Sequence, residues 1–136
     1  MIDRKFEIIE HPSDVALAAY GENLKQTFEN AAFGMFSLMA ELADVSANDS
    51  FEISVKAGDR EELFVNWLNE LIFLEDSKHV LLKEFKITKL TDKELKATVR
   101  GEKINNDFHE LHRPIKAATY NQLELKDKKV KVVFDV

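Results

Sequence analysis

Six consecutive residues, Val15-Ala16-Leu17-Ala18-Ala19-Tyr20, are apolar or amphipathic at both alternating sets of positions. Gly21 closes the run on one side and His11-Pro12-Ser13-Asp14 closes it on the other. A run apolar on both faces reads as a strand covered from both sides, so the chain has to supply layers for each face. The approach to it is equally constrained. Pro12 fixes its own φ and biases His11 toward an extended conformation, which predicts that a short strand through Phe6 and Ile8 ends there and the chain turns. Ser13 and Asp14 then follow with side chains able to bond nearby backbone amides.

After Gly21, Asn23 stands three residues before Gln26, the spacing of a capping box. Leu24, Phe28, Ala31, Met35, Leu38 and Leu42 recur at alternating steps of four and three, with Ala32, Phe36 and Met39 widening the stripe. This predicts a helix near residues 24–42 with one broad buried face. Phe51, Ile53, Val55 and Ala57 alternate with Glu52, Ser54 and Lys56, the pattern of a strand with one wet face. Asp59 and Glu62 repeat the capping spacing, and Leu63, Phe64, Trp67, Leu68, Leu71 and Leu74 predict a second helix over 59–75, with Trp67 a core anchor. Segments 82–89, 95–100, 115–120, 123–126 and 130–134 alternate as antiparallel strands, the last pair joined at Asp127-Lys128. The pattern fails over 101–114, a polar loop carrying Asn105, Asn106, Asp107, His109, Glu110 and His112. The expected fold class is α+β: a single domain over residues 1–136, mainly antiparallel or mixed β-sheet with two long amphipathic helices packed on it.

With 136 residues, 45% of them hydrophobic and 32% charged, the chain suits one soluble domain. No apolar run approaches the length of a membrane span and residues 1–10 carry charges where a signal peptide needs an apolar core, so a cytoplasmic location is expected. The absence of cysteine excludes disulfides, thiolate metal sites and cysteine nucleophiles. A formal charge of −6 opposes tight direct binding of nucleic acid unless a basic patch forms. The one candidate, Lys126, Lys128, Lys129 and Lys131, reads more simply as a solvated hairpin tip. The acidic pair Glu75-Asp76 sits at a helix C-terminus, where the macrodipole disfavours it, and is read as a solvated helix end.

The signatures of phosphate loops, nucleophile elbows and helical zinc sites are absent. His109 and His112 lie three apart in a loop and read as a hydrogen-bonded surface pair. Asp14 has two roles open to it: a side-chain cap closing a turn, or a hard oxygen ligand with His11 beside it. Asp135 and the free main-chain carboxylate of Val136 would complete an all-oxygen site for Ca²⁺, Mg²⁺ or Mn²⁺, provided the last strand ends beside the first turn.

Several short motifs, in order along the whole chain, resemble the archease family. They are His11-Pro12-Ser13-Asp14-Val15, Ala19-Tyr20-Gly21, the Phe-x-x-Ala-Ala-x-Gly-Met-Phe stretch at 28–36, Trp67-Leu68-Asn69-Glu70-Leu71, Gly101-Glu102, His109-Glu110-Leu111, Lys116-Ala117 with Thr119-Tyr120, and Val133-Phe134-Asp135-Val136. Pro12 stands where the family usually has threonine and Asn121 where a histidine often follows Thr-Tyr. The resemblance implies a protein that is not itself an enzyme. It implies an accessory factor in tRNA processing and splicing that activates an RtcB-type GTP-dependent RNA ligase, promoting its guanylylation and multiple turnover. It also implies a divalent-metal site, calcium first, that carries over to Asp14, Asp135 and Val136. Two rival readings are a general chaperone or modulator of RNA-modifying enzymes, and a metal-dependent hydrolase in which His11 or His109 is the base.

Overall fold

The computed structural model describes residues 5–10 and 14–136; the expectations placed on His11, Pro12 and Ser13 lie outside the described residues. The run that anchors the reading is strand β2, Val15–Tyr20, with Ala16 and Leu17 both fully buried although they point to opposite faces. It pairs antiparallel with β1, Phe6–Glu10, and on its other side with the final strand β8, Lys129–Asp135. The far side of β8 is shared by two very short strands, β6, Ala117–Ala118, and β7, Glu124–Leu125. A second antiparallel sheet has the order β3-β5-β4, formed by Asp49–Lys56, Glu94–Lys103 and Val80–Leu90.

Helix α1, Leu24–Met39, packs on β2 of the first sheet and β4 of the second, and α2, Arg60–Lys78, covers β3, β4, β5 and β6. The buried faces of both sheets and both helices form one hydrophobic cluster. The observed fold class is thus α+β with antiparallel sheets, as the alternating and helical periods predict. Both caps form as read. Asn23 Oδ1 accepts from Gln26 N at 2.8 Å and Asp59 Oδ1 from Glu62 N at 2.8 Å, while the Gln26 and Glu62 side chains reach back to Glu22 N and Gly58 N. Trp67 is fully buried and its indole N–H donates to Phe28 O at 3.1 Å, tying α2 to α1. Gly34 lets α1 approach β2: a Cβ there would press on Phe6 and Leu17 at 2.9–3.0 Å.

Several boundaries differ from the sequence expectation. Helix α1 ends at Met39 and not at Leu42, because Ala40 turns extended to bridge Leu111 across the 105–116 loop; Leu42 begins a separate 3-10 turn, Leu42–Asp44. Helix α2 runs to Lys78, three residues past 75, and stops at His79, whose φ of 54° is the left-handed conformation of a helix C-cap. Strand β5 extends to Lys103, into the stretch read as loop. The strand expected over 115–120 is only Ala117–Ala118. No helix among the described residues is long and apolar enough to cross a membrane.

Candidate functional site

The β2–β8 register decides whether the carboxylates meet. Val15 pairs with Phe134, Ala16 with Val133 and Leu17 with Val132. Continuing that register by one residue sets Asp14 opposite Asp135, on the face shared with Ala16 and Val133. Directly opposed side chains are the closest relation an antiparallel pair offers, and like charges placed so are destabilising without a counter-charge. The Oδ1 of Asp14 is buried and has no hydrogen-bond partner among the described residues. A buried carboxylate oxygen left without a donor argues against Asp14 as a turn cap satisfied through that atom, and fits an atom reserved for a cation. Asp135 is exposed and Val136, at 41% exposure, lies beside it.

The other side of Asp135 is held by β6. Ala117 pairs with Asp135, Lys116 N donates to Asp135 O at 2.8 Å, and Thr119 donates to Val133 O from both its amide and its hydroxyl. Close to the same end, Arg113 Nη2 donates to Glu10 Oε1 at 2.7 Å, which neutralises a carboxylate at the end of β1. No group of three or more histidine, cysteine, aspartate or glutamate side chains comes together among the described residues. A cation at Asp14 and Asp135 therefore needs main-chain oxygens, such as those of Val136, or water to complete its shell. The donors are all hard oxygens, which suits calcium, magnesium or manganese and not a thiophilic metal.

The histidines are not a pair. His109 is 6% exposed; its Nδ1 accepts from Asn105 N at 2.9 Å, so the proton sits on Nε2, which donates to Glu102 Oε2 at 2.8 Å. With both ring nitrogens engaged, His109 is neither a metal ligand nor the base that a hydrolase reading needs. His112 is separate, its Nδ1 3.7 Å from Glu110 Oε2. Glu102 also takes Ser46 N at 2.9 Å and Ser46 Oγ at 2.8 Å. Chiefly the Ser46 amide, and then His109 and the Ser46 hydroxyl, push its carboxyl down to about 2. The order Ser46-Glu102-His109 puts the acid between hydroxyl and imidazole, so no activated nucleophile results. Its work is to tie β5 to the segment after the 3-10 turn and to the 105–116 loop. Gly101 beside it permits β5 to lie against β4, where a Cβ would collide with the Leu81 carbonyl oxygen.

Sequence periodicity did not single out this Ser46-Glu102-His109 anchor, because its members sit in an irregular loop and on a wet strand face. The only signal was the recurrence of Gly101-Glu102 and His109-Glu110 as motifs. The basic stretch Lys126, Lys128 and Lys129 is a hairpin tip. Lys128 O accepts from Gly21 N, Asp127 O from the Thr27 hydroxyl, and the Asp127 carboxylate from Arg60. Glu75 and Asp76 lie in the last turns of α2. Burial, and then the Asp76 charge, push the Glu75 carboxyl up, and Glu75 borders an apolar pocket of about 210 Å³ with Met39, Leu81, Ile104 and Leu111.

The family model described as the Archease protein family (MTH1598/TM1083) matches residues 6–136. A protein archease of Methanosarcina acetivorans is 36% identical, covering 98% of this chain and 97% of its own length. One from Methanothermobacter thermautotrophicus is 33% identical over 96% of this chain and 98% of its own. The solution structure of Methanobacterium thermoautotrophicum protein 1598 superposes with a TM-score of 0.80 at 32% identity, covering 97% of this chain and 99% of that one. The crystal structure of a Thermotoga maritima archease, described as a possible chaperone, gives a TM-score of 0.60 at 26% identity over 94% of each chain. The motifs, the fold and the full-length matches agree, and the chain belongs to the archease family.

Proposed function

We propose that this protein is an accessory factor, not itself an enzyme, that activates an RtcB-type GTP-dependent RNA ligase in tRNA splicing and RNA repair. It acts through a divalent cation held by Asp14, Asp135 and a main-chain oxygen of Val136. The observation that carries the metal part of the reading is the buried Asp14 Oδ1, without a partner among the described residues, just before a strand whose register, continued by one residue, sets Asp14 against Asp135. When bound, a divalent cation supplies a positive centre able to engage phosphate oxygens. The chain's own contribution is to present two opposed carboxylates on adjacent strands and to brace Asp135 from β6. The net charge of −6 favours approach to a basic, RNA-binding enzyme over approach to the RNA itself.

The test is ligase guanylylation. Added in catalytic amounts, the protein is expected to raise the fraction of ligase-GMP formed from labelled GTP and to permit multiple rounds of RNA joining, with Asp14→Ala losing the effect. No stimulation of the ligase from the same source overturns the reading. A general chaperone, the description given to the Thermotoga maritima relative, predicts instead protection of unrelated clients with no dependence on divalent metal.

A further inference from the structure

Strand β6 is two residues long and lies at the edge of its sheet, so little of its own length holds it in place. Edge strands this short fray unless their outward backbone groups find partners. In β6 those groups belong to Ala118. Thr119 N bonds Val133 O and Lys116 N bonds Asp135 O, while Ala118, paired with Phe134 between them, turns its own amide and carbonyl away from β8. Both are met by one side chain. Asn69 Oδ1 on α2 accepts from Ala118 N at 2.8 Å, and Asn69 Nδ2 donates to Ala118 O at 3.4 Å. The primary amide thus stands in for the missing neighbouring strand.

We infer that Asn69 is a positioning residue for the carboxylate site: its amide clamp on Ala118 fixes β6, and β6 fixes the main chain of Asp135 opposite Asp14. The inference rests on the carboxylate reading above. Asparagine suits the task because it alone among the short side chains offers a donor and an acceptor in the geometry of a peptide group. It stands where buried Leu68 and Leu71 flank it on the helix, which leaves the amide few alternative orientations. The residue touches no ligand on this account; it acts through the backbone of β6.

Calorimetric titration of the full chain with Ca²⁺ alone, together with amide hydrogen exchange at Lys116 and Thr119, tests this. Asn69→Ala is expected to weaken Ca²⁺ binding about tenfold, the scale seen when groups orienting metal ligands are removed, and to speed exchange at both amides. Asn69→Asp keeps an acceptor for Ala118 N and is expected to fall between wild type and Asn69→Ala. Thr27→Val breaks the hydroxyl contact to Asp127 O at the far end of β8 and serves as the destabilised control, with wild-type affinity expected. If wild type binds Ca²⁺ and Asn69→Ala binds it equally well, the positioning role is wrong while the carboxylate site stands. Equal weakening by Asn69→Ala and Thr27→Val also overturns it, since the effect is then general loss of stability. If wild type and Asp14→Ala alike show no binding, the carboxylate reading fails and the inference with it.

Discussion

Removing the Glu102 side chain is expected to loosen two loops at once, and the cost follows from who loses a partner. In Glu102→Ala the Nε2–H of His109, a ring whose side chain is 1% exposed, is left with no acceptor. A buried donor stranded in this way costs about 1–3 kcal/mol, and two Ser46 contacts to a charged acceptor are lost beside it. Ser46 is half-buried and recovers part of its loss from water, so the sum is roughly 3 kcal/mol, a fall in Tm of about 10 °C for a domain of this size. Glu102→Gln separates geometry from charge. Its single oxygen serves Ser46 N and His109 Nε2, as Oε2 does now, and its NH₂ meets a Ser46 hydroxyl that rotates to accept.

The charge contributes separately, and its sign is set by the lowered pKa. Glu102 falls from 4.5 to about 2 on folding, so its stabilisation is fully present above 4.5 and is lost as pH drops toward 2. Because the carboxylate is partly exposed, solvent screening leaves about 1–2 kcal/mol of that at neutral pH. Urea denaturation of wild type, Glu102→Gln and Glu102→Ala from pH 7 to pH 2 checks both parts. Wild type and Glu102→Gln should differ at pH 7 and converge near pH 2, with Glu102→Ala least stable at pH 7. A gap between wild type and Glu102→Gln that stays constant down to pH 2 refutes the charge argument. A Glu102→Ala variant that melts within about 2 °C of wild type refutes the anchoring argument.

Asp14→Ala is expected to weaken divalent-metal binding by titration calorimetry while leaving metal-free thermal stability unchanged or slightly higher, since it removes one of two opposed like charges. Adding a few residues after Val136 is expected to lower metal affinity and ligase stimulation with little change in metal-free Tm. An N-terminal extension of equal length is the control, and equal affinity in the two extended proteins removes Val136 from the ligand set. His79→Gly at the left-handed helix cap is expected to raise stability by about 0.5–1 kcal/mol in urea denaturation, because glycine adopts φ near 54° without the Cβ penalty.

Features set by neighbours a few residues apart were legible from the amino-acid order alone. Both capping boxes, the start of each helix, the strand at Val15–Tyr20, the wet-and-dry alternation of Asp49–Lys56 and the buried Trp67 depend on local spacing, and the structure has them where the spacing puts them. The full-length run of motifs likewise carried the family. Where local periodicity continued but a distant partner intervened, the expectation failed: Leu42 lies on the stripe of α1, yet Ala40 leaves the helix to bridge Leu111. In the same way, 115–120 alternates like a full strand, but the strand that forms against β8 is Ala117–Ala118, with single flanking bonds from Lys116 and Thr119. Nothing in the aperiodic sequence around His109 indicates burial; the ring is buried between an acceptor on β5 and an amide of its own loop. That the β2–β8 register, continued by one residue, sets Asp14 opposite Asp135 was beyond any local pattern, since a shift of one residue would send every side chain of one strand to the other face. That register is held by the packing of Val15, Leu17, Val132 and Phe134 into the shared core, an energy that exists only once the chain has folded.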